Sequence, residues 1–345
     1  MSEESYLAWA IRHTRTCWWH DSADPAELDH ALAHGAVGVT TNPYLANLAL
    51  TANRRPWGGE IESMLASATD AEARAEALMR VAVTRTAAKL RPMFEATGGA
   101  RGWVCGQVNP LRAGDREAML AMAHRYHTWA PNITVKLPAT SAGLDVMAEC
   151  VAAGIPVTLT VSFTVPQVMA IAERYRDASA RAARNGVVPG PCNAVIMIGR
   201  LDDYLREVAQ DTRAPVAEAD IRQAGIAVTK RALAICRERG YGVMLIVAAL
   251  RGTHHATELV GGDLTLSIAP AFQKPLQSPD LPREERIDRA VEPAVLDRLR
   301  SMPEFRRAFE PDGMRPEEFI SYGVTQRTLA QFAEVGWKLM ETFKL

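Results

Sequence analysis

Short apolar runs, many of them β-branched, alternate along this chain with longer amphipathic stretches, and that alternation predicts most of its elements. The run Cys17-Trp18-Trp19-His20-Asp21 reads as a strand. A helix over 5–15 precedes it, and another over 24–35 follows. The second is bounded by Asp24-Pro25, an N-cap carboxylate before a first-turn proline, and by Gly35, a C-cap glycine. Residues 37–41 form a second strand, and 60–95 are helical, in one piece or two. Strands over 102–108, 131–138, 155–163 and 193–200 then alternate with helices over 115–130, 141–153, 165–184 and 202–239, the last broken at Ala214-Pro215. Two more strands, 241–250 and 264–270, flank a helix over 253–260. Helices over 290–300, 303–309 and 325–343 close the chain.

Strands that are apolar along their whole length are buried on both faces, as in parallel sheets. Eight strand–helix units in this length predict an α/β fold, a (β/α)8 TIM barrel with extra N- and C-terminal helices. An open, doubly wound sheet would need a glycine-rich phosphate turn after its first strand, and neither GxGxxG nor GxxxxGK[ST] occurs. The expected organisation is a single domain over 1–345. The barrel occupies about 17–272 and a helical appendage about 283–345, with the proline-rich 273–282 between them.

Composition narrows the function classes. The net charge of −1 and the absence of a basic stripe with interleaved aromatics argue against nucleic acid as a partner. The most apolar run, 243–250, is too short for a membrane span. Met1-Ser2-Glu3-Glu4-Ser5 is acidic and lacks the apolar core of a signal peptide. Five cysteines, odd in number and without a CxxC pair, predict a reduced, cytoplasmic protein. His254-His255 shows no third ligand nearby in the sequence, so no metal site is expected.

The candidate chemistry centres on Lys136. It is one of only six lysines, and it stands inside the strand Ile133-Thr134-Val135-Lys136-Leu137. Burial there would disfavour its charged form, and a neutral amine can attack a carbonyl to form a Schiff base. A lysine on a half-exposed strand face, or one paired with a carboxylate, would fit the same stretch. In a barrel of this kind chemistry gathers at the C-terminal strand ends. The polar residues there are Asp21, Thr40, Thr41, Asn42, Gln107, Asn109, Lys136, Thr158, Thr160, Ser162, Arg200 and Arg251. A strand threonine is usually a packing residue, and Arg200 could pair with the Asp202-Asp203 carboxylates.

Several blocks, in order, resemble the transaldolase family. They are Val37-Gly38-Val39-Thr40-Thr41-Asn42-Pro43, the stretch from Ile133 through Lys136-Leu137-Pro138-Ala139-Thr140 to Leu144, Gly154 to Gln167, Gly199-Arg200-Leu201-Asp202-Asp203 and Ala248-Ala249-Leu250-Arg251. The resemblance covers about 17–335. It implies that Lys136 attacks a ketose carbonyl and Asp21 takes the proton from the hydroxyl beside the breaking bond. It further implies that Asn42 positions a dihydroxyacetone unit, Thr160 holds the catalytic water, and Arg200 with Arg251 binds the sugar phosphate. No metal or organic cofactor is implied. The partner is a small anionic sugar, and a homodimer is left open.

The sequence also departs from the family blocks. Gln107 stands where the family usually has glutamate, Thr158 where it has asparagine, and Val195 and Ala249 where it has serine. Met197 stands where the fructose-6-phosphate aldolase subgroup has tyrosine, and Tyr44 follows Pro43 where serine is common. With Thr41 as a further substrate-side candidate, the expected activity is Schiff-base transfer of a three-carbon unit between anionic sugars. The alternatives are a fructose-6-phosphate-aldolase-like lyase and a non-catalytic sugar-phosphate-binding protein.

Overall fold

The structure, a computed structural model, describes residues 4–345, so Met1, Ser2 and Glu3 of the acidic N-terminus lie outside the described residues. Eight parallel strands close into a barrel in sequence order. They are β1 (Cys17–His20), β2 (Gly38–Val39), β3 (Trp103–Gln107), β4 (Ile133–Pro138), β5 (Val157–Thr160), β6 (Cys192–Met197), β7 (Met244–Ala248) and β8 (Leu264–Ile268). This is the (β/α)8 architecture that the alternation predicts.

The β4 strand shows how the pattern places the lysine. Ile133, Val135 and Leu137 are fully buried, and Ile133 belongs to the same buried cluster as Val83 and Leu90 of the helix Ala71–Ala96. Each such side chain contributes about 1.5–3 kcal/mol of apolar burial. Successive strand residues face opposite ways, so Thr134 and Lys136 share the other face, toward the barrel interior. Register sets Lys136 opposite Gln107 on β3 and Thr158 on β5. Beyond the strand, Thr140 caps the helix Ser141–Ala152 through the Gly143 N–H. A Cβ at Gly143 would collide with the Pro138 carbonyl oxygen, so the turn that ends the lysine strand requires glycine there.

Differences from the expected boundaries bear on the site. Between β2 and β3 there are three helices, Pro43–Ala52, Arg54–Ala66 and Ala71–Ala96, where one or two were expected from about residue 60. The first begins on Asn42-Pro43 and has too little polar surface to show a helical stripe. β6 ends at Met197, and Arg200 lies in the first turn of the helix Ile198–Thr212, not on a strand. β5 stops at Thr160 because Val161 turns to a left-handed backbone, φ 54°. After β8 a short helix, Pro270–Leu276, runs into the proline-rich 273–282 that was expected to separate barrel from appendage.

The C-terminal appendage runs from Pro293–Arg300 through Pro303–Phe309 and Gly323–Phe332 to a π-turn at Ala333–Trp337. Phe305, Phe319, Tyr322 and Phe332 belong to the same buried cluster as Val135 and Leu137 of the barrel. Arg298 also grips Asp220 of the helix Glu218–Glu238 with two bonds of 2.9 and 2.7 Å. We propose that barrel and appendage form one domain. Calorimetry should give one cooperative transition with equal calorimetric and van't Hoff enthalpies; two resolved transitions would separate them.

Candidate active site

At the C-terminal end of the barrel lies a cavity of about 590 Å³. Asp21, Asn42, Lys136, Thr160, Arg200 and Arg251 line it, together with Thr40, Ser267 and an apolar wall. Seven of the twelve strand-end candidates, Thr40 included, thus meet in one place. Gln107, Thr41 and Thr158 sit just behind the lining. A second depression, of about 540 Å³, lies on the outside of the barrel among the Arg112–Glu72 and Arg125–Glu76 ion pairs and holds none of these groups.

Lys136 is 5 % exposed, and its Nζ donates to the Thr41 carbonyl oxygen over 2.8 Å. Burial lowers its pKa below the usual lysine value, while the charges of Cys105 and Asp21 pull the other way. Asp21 shows the converse: burial raises its carboxyl above the usual range, opposed by hydrogen bonding to Thr40 and by the charge of Lys136. Thr40 Oγ1 donates to Asp21 Oδ1 at 2.7 Å and lies 2.6 Å from Ser267 Oγ. With the Thr40 proton on the carboxylate, Ser267 must be the donor to Thr40. The amine and the carboxylate therefore each have their charged form disfavoured by burial and favoured by the other.

Asn42 Oδ1 caps its helix by accepting from the Leu45 N–H at 3.0 Å, which fixes the side chain at the cavity edge. Thr160 is buried, and its hydroxyl meets only the Met197 sulfur, at 3.9 Å. Behind the lining, Thr41 Oγ1 donates to the Cys105 carbonyl oxygen at 2.6 Å. Thr158 Oγ1 lies 2.9 Å from Thr134 Oγ1 and accepts from Asn193 Nδ2 at 3.0 Å. Gln107 is 2 % exposed, and its Oε1 has no hydrogen-bond partner among the described residues.

The two arginines arrive by different routes. Arg200 donates to Gln331 Oε1 at 2.5 Å and stacks over Phe332 at 5.2 Å, both from the appendage. Burial and the like charge of Arg251 lower its pKa to about 10. Arg251 follows a turn in which Ala249 is left-handed, φ 59°, and its guanidinium holds Asp203 Oδ2 at 2.9 and 2.8 Å. Gly199 makes their proximity feasible, because a Cβ there would strike the Ala249 oxygen and the Arg251 side chain.

Contrary to the expectation of no third ligand, Asp202 lies beside His254 and His255. Apart from His254 Nε2, which has no partner among the described residues, these groups are in use. Asp202 Oδ2 holds His255 Nε2 at 2.9 Å, Asp202 Oδ1 accepts from Gly225 N–H, and His255 Nδ1 accepts from the Arg251 N–H at 3.2 Å. The Arg222 guanidinium stands 3.2 Å from His254 Nδ1, a poor neighbour for a cation. The arrangement suits a buried pair that anchors the Arg251 turn. It does not suit a metal centre.

The profile of the family described as Transaldolase/Fructose-6-phosphate aldolase matches residues 18–315. The chain belongs to this family. Transaldolase-family relatives include "Transaldolase" of Acidothermus cellulolyticus, 34 % identical over 153 residues, or 44 % of this chain and 41 % of the relative. "Transaldolase 1" of Streptomyces avermitilis is 32 % identical over 213 residues, 59 % and 53 % of the two chains. "Transaldolase" of Mycobacterium ulcerans is 30 % identical over 212 residues, 59 % and 55 %. The chain thus spans about half the length of the curated relatives it matches. Within this transaldolase-family barrel, sequence reading missed Ser267, the wall helix Pro43–Ala52, and Gln331 with Phe332. Only the apolar stretch after Asn42-Pro43 left a trace of any of them. Among the described residues, no helix is long and apolar enough to cross a membrane.

Proposed function

We propose that this chain is a Schiff-base enzyme of the transaldolase type, moving a three-carbon dihydroxyacetone unit between anionic sugars or aldehydes. The observation that carries the reading is the buried amine of Lys136, its pKa lowered, sharing one cavity with the Asp21 carboxyl, its pKa raised. In this reading Lys136 condenses with the donor ketone. Asp21 takes the proton from the hydroxyl beside the bond that breaks, and the iminium accepts the electron pair. Asn42 orients the three-carbon fragment, and Thr160 holds the water that enters and leaves. Thr41 supports the amine through its carbonyl, and Thr158 supports the strand behind it. Gln107 faces Lys136 across the β3–β4 ladder without a titrating group. A cytoplasmic setting belongs to the same proposal, supported by five free thiols, four of them buried.

Borohydride with a ketose phosphate donor should add the mass of the donor's three-carbon fragment to Lys136, and Lys136→Met should take up none. Reduction onto another lysine, or onto none, would defeat the assignment.

The arginines supply an anion site in this reading, with unequal shares. Arg200 is half-buried, and its buried Nε lacks a partner among the described residues. Arg200→Ala should raise KM for a phosphorylated donor roughly tenfold or more, the loss of a charge-assisted contact of about 1.5–3 kcal/mol. Arg251 is half-exposed and already paired with Asp203, so Arg251→Ala should cost less. Steady-state kinetics on phosphorylated and free donors checks both; equal KM values for the two donors in the parent would assign the arginines to structure.

A further inference from the structure

One side of the cavity between the lysine and the arginines is a continuous apolar wall, while Ser22, Glu27, Asn42 and Tyr44 line the opposite rim. On β6 alternate residues face inward, and they change character along the strand. Asn193 is deepest and donates its amide to Thr158, whereas Val195 and Met197 above it line the cavity. Met197 stands three residues before Arg200, and Ala248 and Ala249 continue the surface on neighbouring β7 toward Arg251. Leu45 and Leu48 face this surface from one side of the helix Pro43–Ala52, and Phe272 and Phe332 complete it. Leu48 is 45 % exposed and adds its side chain to the open part of this surface. Polar groups stand off this wall: around Lys136 and Asp21 at the base, on the guanidinium groups, and on Ser22, Asn42 and Tyr44 at the rim. Thr160, on neighbouring β5, turns its hydroxyl onto the Met197 thioether at 3.9 Å.

A substrate attached at Lys136 and anchored by its anion at Arg200 lies with its middle against this wall. Each hydroxyl there would exchange water for hydrocarbon and lose its hydrogen bonds. We infer that the aldehyde partner of this enzyme is an anionic aldehyde whose chain between carbonyl and anion is deoxygenated, not a polyhydroxylated sugar. This rests on the Schiff-base reading and narrows its substrate class. The amine of Lys136 condenses with the donor ketone and releases water. Loss of a proton from the adjacent carbon gives an enamine, which bonds to the aldehyde carbon while the aldehyde oxygen gains a proton. Water then cleaves the C=N bond, freeing the extended ketone and Lys136.

Dihydroxyacetone is the donor of choice for the test, because it carries no chain to occupy the wall. Two acceptors of equal length and charge, 4-oxobutyl phosphate and erythrose 4-phosphate, differ only by two hydroxyls. An apolar pocket rejects an added hydroxyl moderately, so kcat/KM should favour 4-oxobutyl phosphate by roughly 10- to 100-fold. Met197→Asn should bring that ratio toward one. In parallel, borohydride with dihydroxyacetone should label Lys136. Without that label the Schiff-base reading itself falls. With the label, a preference for erythrose 4-phosphate, or a ratio that Met197→Asn leaves unchanged, overturns the apolar-wall assignment alone.

Discussion

Asp21→Asn is expected to slow turnover by about 10²–10⁴-fold, the usual share of a general acid–base group, while the imine at Lys136 stays trappable. The two readouts separate because imine formation needs the neutral amine, whereas bond cleavage needs a proton acceptor. The variant also carries a signed pH effect. The Asp21 charge raises the Lys136 pKa against the larger lowering by burial. Removing it lowers that pKa further, so the acid limb of the trapping rate should move to lower pH. In the parent, Asp21 must be ionised to accept a proton, and burial holds its pKa above the ordinary carboxylate range. The acid limb of kcat should therefore lie above that range too and vanish in the variant. Turnover within tenfold of the parent, or a trapping limb moved upward, would remove Asp21 from the chemistry.

Gln107→Glu should have the other large effect, in the opposite direction. Gln107 sits across the ladder from Lys136, buried, with an Oε1 that nothing described satisfies. A carboxyl there would face the same burial as Asp21 and the same nearby ammonium. It would titrate where an amide cannot. If proton relay to the water at the imine limits the parent, turnover on fructose 6-phosphate should rise tenfold or more, within the 10²–10⁴ range of such groups. The kcat profile should then gain a second acidic pKa. The comparison is kcat of parent and variant on one donor, with and without an acceptor aldehyde, which also reports transfer against simple cleavage. A normally folded variant slower under both conditions would make the amide itself part of the chemistry.

The barrel was legible because its strands are buried on both faces, and continuous apolar runs at regular spacing allow few other folds. Lys136 was legible for the same reason, since an ammonium inside such a run costs free energy unless it does something. Arg200 was misplaced by one element, because Asn193-to-Arg200 reads as a strand until the helix starting at Ile198 is known. The helix Pro43–Ala52 escaped notice because one side packs on the barrel and another faces the cavity, leaving no polar stripe to mark its period. Gln331 and Phe332 reach Arg200 across about 130 residues of chain, a distance over which no local pattern speaks. The roles of the threonines were hidden by chemistry. A strand threonine looks alike whether its hydroxyl meets only a thioether, as at Thr160, or is taken up by oxygen and nitrogen neighbours, as at Thr158.

Gly336, in the π-turn, lies under the start of the wall helix. A Cβ there would stand 2.6 Å from the Tyr44 nitrogen and 2.7 Å from the Pro43 carbonyl carbon, both backbone atoms that cannot swing aside. Any side chain at 336 would lift Pro43 and Tyr44, and with them Asn42 and the leucines that line the cavity. Heredity therefore links two stretches nearly three hundred positions apart. In a saturation library selected for activity, position 336 should tolerate as little as position 136, although it never meets the substrate. Lineages that drift toward a new acceptor would have to reshape the wall while leaving that glycine alone.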